Sequence, residues 1–72
     1  MEFGDKVRVM RAVRRVSQRD LAYTIGVNPA VLWQVENGSL PRQEVQDAIR
    51  AALGWPEAMD AHIEALAQEG GK

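Results

Sequence analysis

The chain has 72 residues, 46% of them hydrophobic, a formal net charge of −1 and no cysteine. That length supports one small domain with a modest core, since a domain near this size hides only ~60% of its unfolded surface. Without cysteine there is no disulfide framework and no thiolate metal site, and one histidine does not make a zinc site. No apolar run approaches the ~18 residues of a membrane span and there is no signal-peptide core, so a cytoplasmic protein is expected.

The charge is unevenly spread. Residues 1–19 set Lys6, Arg8, Arg11, Arg14, Arg15 and Arg19 against Glu2 and Asp5, whereas residues 45–72 set Arg50 and Lys72 against Asp47, Glu57, Asp60, Glu64 and Glu69. One basic and one acidic end suit a module with a single phosphate-facing side.

Residues 3–15 read as a first helix. Phe3, Val7, Met10 and either Val13 or Arg14 fall near one stripe, with Val9, Ala12 and Val16 apolar outside it. Ser17 is a good N-cap with Asp20 three residues on, and Leu21, Ala22 and Ile25 follow at helical spacing, which predicts a second helix over 18–25. Tyr23 and Thr24 face outward on it. Gly26 ends this helix, at a place where a left-handed residue is needed. Asn28 and Pro29 open a third helix over 29–37, asparagine as cap and proline at the first helical position. Leu32 and Val35 form its inward stripe and Gly38 closes it. Two helices joined by a short turn containing glycine have helix-turn-helix geometry, and the small Ala22 lets them cross closely.

Ser39, Leu40 and Pro41 lead into a fourth helix over 42–53, where Val45, Ala48, Ile49, Ala52 and Leu53 recur as an inward stripe. Gly54 caps it and Trp55-Pro56 restarts the chain. Met59, Ile63 and Leu66 mark a fifth helix over 57–68. Residues 1–69 are expected to form one domain and residues 70–72 a flexible tail. His62 reads as a surface side chain.

The stretch from Ser17 to Gly38 resembles the helix-turn-helix family of phage Cro and repressor proteins, the XRE-like regulators. Gln18, Leu21, Ala22, Gly26, Val27, Leu32, Val35, Glu36, Asn37 and Gly38 carry the resemblance, and upstream Gly4, Val7, Arg8 and Arg11 fit the family's first helix. Over the fourth and fifth helices the match is looser. The resemblance implies an all-α, compact five-helix bundle of the lambda-repressor-like kind that binds double-stranded operator DNA, usually as a dimer. It also implies that Arg11 pairs with Glu36, a pairing in which a planar guanidinium grips a carboxylate with two hydrogen bonds.

Within that frame the third helix is the recognition helix, and its outward face offers Pro29, Ala30, Trp33, Gln34 and Asn37. Gln34 is its one long polar side chain and can bond adenine at N6 and N7 together, while Pro29 and Ala30 can touch thymine methyls. Trp33 departs from the family pattern; its indole suits a sugar, a methyl or a protein surface. Ser17, Gln18 and Arg19 stand at the start of the second helix, where backbone N–H groups and the helix dipole favour a phosphate. Asn37 and Arg42 are further phosphate candidates, with Arg14 or Arg15 beside them.

The function expected is transcriptional repression by occupying a palindromic operator as a homodimer. The dimer surface is placed at Trp55, Met59, Ile63 and Leu66. A second reading is a protein-interaction module on the same fold, antitoxin-like or an adaptor, favoured by the acidic C-terminal half, the recognition helix without a cation, and Trp33. An enzyme is not expected: there is no Gly-rich phosphate loop, no Ser–His or Cys–His pair and no metal constellation. No cofactor, metal or small-molecule ligand is called for.

Overall fold

The computed structural model of the chain describes residues 2–55 together with Ala61 and Ala65. Four helices run in order: α1 (Phe3–Arg14), α2 (Gln18–Ile25), α3 (Pro29–Glu36) and α4 (Gln43–Leu53). There is no strand among the described residues. Of the expected fifth helix, 57–68, only Ala61 and Ala65 are among them, both helical and exposed, while Met59, Ile63 and Leu66 of the expected dimer surface lie outside the described residues.

The helix ends are built from local chemistry. The Ser17 hydroxyl accepts a hydrogen bond from the Asp20 N–H at 3.0 Å, and the Asn28 side chain accepts one from the Ala30 N–H at 2.9 Å, with Pro29 at the first helical position. α1, α2 and α4 end alike, on a left-handed residue followed by an N–H that reaches back five residues: Val16 to Arg11, Val27 to Ala22 and Trp55 to Arg50. Glycine fills the left-handed position at Gly26 and Gly54, whereas α1 uses Arg15 at φ 57°.

The helices pack α1 on α3 and α4, and α2 on α3 and α4. Val7, Met10, Leu21, Ala22, Leu32, Val35, Ile49, Leu53 and Trp55 form one buried core, with Phe3, Val9, Val16, Ile25, Val27, Val31 and Val45 packed against it. Ala22 is fully buried where α2 meets its neighbours. On α4, Val45 and Ala48 are half-buried above Ile49 and Leu53, but Ala52 is exposed, so the inward stripe is narrower than its spacing suggests.

Between Val13 and Arg14, it is Arg14 that turns to the neighbouring helix. Val13 is exposed, and the Arg14 Nε donates to the Leu53 carbonyl at 2.9 Å while Nη2 donates to Gly54 at 3.4 Å. A cation on the last carbonyls of α4 satisfies groups with no partner inside that helix. It also draws the guanidinium away from a phosphate role.

Trp55 requires a correction. The residue expected at a dimer surface is 1% exposed and belongs to the chain's own core. The left-handed Gly54 turns the chain back so that the Trp55 N–H donates to Arg50, and the indole stacks on Phe3 with ring centroids 5.4 Å apart. The Arg50 guanidinium lies 4.4 Å from the indole centroid and 5.3 Å from that of Phe3. An indole closed in this way has no surface left for a partner.

Candidate nucleic-acid interface

α2, the turn at Gly26 and α3 form the helix-turn-helix, and α3 presents two unlike faces. Leu32, Val35 and Glu36 are buried on the inner one. Pro29, Ala30, Trp33, Gln34 and Asn37 are all exposed on the outer one, Trp33 at 59%. The predicted reading residues therefore share one solvent-facing surface, on a helix with no lysine or arginine.

The inner face is fastened to α1 by three residues at i, i+4 and i+7, which lie on one side of a helix. Gly4 is buried, and a Cβ there would overlap the Val35 carbonyl oxygen, so the α1 backbone touches that of α3. Arg8 Nη2 donates to the Glu36 carbonyl at 2.7 Å, and its Nε stands 3.7 Å from Glu36 Oε1. Arg11 grips the Glu36 carboxylate with both arms of its fork, Nε to Oε2 at 2.7 Å and Nη2 to Oε1 at 2.9 Å. Its Nη1 donates to the Val16 carbonyl at 2.9 Å, linking the pair to the end of α1.

The Glu36 side chain is 3% exposed and that of Arg11 19%. Burial alone pushes the Glu36 carboxyl up. Hydrogen bonds from Arg11 and Gln18, with the positive charges of Arg11 and Arg8, outweigh that and hold it below its ordinary value. The carboxylate stays ionised at a junction of α1, α2 and α3, where Arg8, Arg11 and Gln18 meet Glu36. Two members of that junction escaped the sequence reading. Arg8 fitted the family pattern but had no assigned partner; its spacing from Gly4 and Arg11 is the signal that places it on the same seam. Gln18 had been placed on phosphate.

The phosphate candidates divide by what else they do. The Ser17 hydroxyl is occupied as a cap and the Asn37 Nδ2 donates to the Trp33 carbonyl at 2.7 Å. Gln18 is half-buried on Glu36. Arg19, at the start of α2, and Arg42, the N-cap residue of α4, are exposed cations. Arg42 stands on the rim of a shallow groove lined by Val27, Val31, Gln34, Ser39 and Val45, beside the outer face of α3.

Among the described residues there is no group of His, Cys, Asp and Glu able to hold a metal ion, and no helix long and apolar enough to cross a membrane. A family model described as the helix-turn-helix domain matches residues 2–63. No curated protein and no solved structure matches the chain.

Proposed function

The chain belongs to the helix-turn-helix domain family, and on that premise we propose that it is a sequence-specific DNA-binding transcriptional regulator that represses by occupying an operator. The observation that carries this reading is the exposed outer face of α3, held on a helix whose inner face is fastened to α1. Pro29, Ala30, Trp33 and Gln34 enter the major groove and meet base edges. Arg19 and Arg42, with the N-terminal N–H groups of α2 near Ser17 and Gln18, and Asn37 at the end of α3, meet phosphates and set the register.

One copy reads few bases and carries a formal net charge of −1, so two copies on a palindromic site supply the remaining affinity. Their recognition helices then stand about 34 Å apart, in successive major grooves. Residues after Trp55 provide the dimer contact, and residues 1–69 act as one domain.

The test is DNA affinity against salt, followed by selection from a random duplex pool. A binder loses affinity linearly in log–log form with slope about −0.9 for each phosphate neutralised, and selection returns a palindrome bound two to one. The exposure of Trp33 and Leu40 favours a second reading, a protein-interaction module on the same fold. That reading predicts negligible DNA affinity even at low salt.

A further inference from the structure

The two side-chain chemistries that single out a G·C pair are both missing from the outer face of α3. Guanine is read by an arginine or lysine that donates to O6 and N7 together, and cytosine by a carboxylate that accepts from N4. α3 has no arginine or lysine. Its single carboxylate, Glu36, is buried and taken up by Arg11, so it does not reach the groove. The Asn37 amide nitrogen is turned back onto the Trp33 carbonyl. What α3 presents is one amide, Gln34, and three apolar surfaces, Pro29, Ala30 and Trp33. The indole N–H of Trp33 adds one donor, which does not make the two-donor fork that guanine needs.

We infer that the bases facing α3 are A·T pairs recognised largely through thymine C5-methyl groups, with Gln34 on one adenine. This rests on the DNA-reading role proposed above and specifies its substrate. A methyl is the one major-groove feature an apolar side chain can read, because covering it removes two apolar surfaces from water. Trp33 is more than half exposed, and the apolar area it leaves in water is large enough to cover methyls on adjacent base pairs. Arg19 and Arg42 lie off α3, at the starts of α2 and α4, where they serve position and not base identity.

The experiment uses the full chain. A site is selected from a random duplex pool, and its affinity is measured with thymine and then with deoxyuridine, which pairs identically but lacks the methyl. The expected site has consecutive A·T pairs opposite α3, and each methyl removed weakens binding roughly threefold to fourfold, the worth of one buried CH₂. Trp33→Ser, a change at an exposed position whose folding is checked by its melting curve, brings the thymine-to-uracil ratio towards one. Guanine or cytosine at the positions that Gln34→Ala and Trp33→Ser relax, or an unchanged affinity on uracil DNA with specificity intact, overturns the inference and leaves DNA reading standing. Negligible DNA affinity even at low salt, or no sequence preference at any salt concentration, overturns the proposed function, and the inference with it.

Discussion

The two faces of α3 make opposite use of eight residues. The inner face spends its polar groups on the rest of the chain: the Val35 backbone against Gly4, the Glu36 carbonyl on Arg8 and the Glu36 carboxylate on Arg11. The outer face keeps Trp33 and Gln34 in solvent. A helix fastened from behind meets its target with little conformational freedom left to lose, which is how a small interface gains affinity from preorganisation. The groups that fasten this helix and the groups it leaves in solvent are different residues, so substitutions should sort by face.

The largest effect is expected at the junction. Glu36→Ala strands the Arg11 guanidinium and should cost about 3 kcal/mol, the lower end for breaking a buried pair because Arg11 keeps some access to water. Urea denaturation measures it, and a loss under ~0.5 kcal/mol would show that the inner face is not fastened by charge.

Gly4→Ala comes next. A methyl there meets backbone, not a flexible side chain, so α1 and α3 must separate, at a cost of about 1–3 kcal/mol. An unchanged melting temperature would mean that the close approach has room to relax.

Acid should loosen the inner face. Because the Glu36 pKa is lower folded than unfolded, its contribution is fully present above the ordinary carboxylate value of 4.5 and fades as pH falls through the folded value. Denaturation midpoints followed across the acid range should fall more steeply for wild type than for Glu36→Gln. Parallel curves would remove Glu36 from the acid response.

The smallest effect on stability belongs to the outer face. Gln34→Ala should shift folding stability by no more than ~0.5 kcal/mol while costing about 1–3 kcal/mol of binding to the selected DNA site and relaxing preference at one base pair. Equal losses in both would show that Gln34 supports the fold, and the separation of faces would fail at that residue.

Much of the scaffold was legible because it is written between near neighbours. Ser17 with Asp20, Asn28 with Pro29, and the left-handed Gly26 and Gly54 each act within five residues, so both ends of α2, the start of α3 and the C-terminal end of α4 follow from backbone donors and allowed dihedrals. The outward set on α3 was legible too, since helical spacing puts Pro29, Ala30, Trp33 and Gln34 opposite Leu32 and Val35.

What only the tertiary structure decided concerns residues with two chemically acceptable fates. Trp55 can cover a core or greet a partner; Phe3, over fifty residues away in sequence, settles it by offering a ring to stack on. Arg14 can face phosphate or cap a helix, and the carbonyls of Leu53 and Gly54 take it. Gln18 is a polar side chain that periodicity leaves anywhere on a surface until α1, α2 and α3 close around Glu36. The sequence by itself determined both ends of α2, the start of α3, the end of α4 and which face of α3 is bare, because those depend on local dihedrals and a 3.6-residue period. The packing determined which arginines are tied up inside the chain, because an arginine's partner is whichever unsatisfied oxygen the fold brings within reach, and that distance is not encoded along the chain.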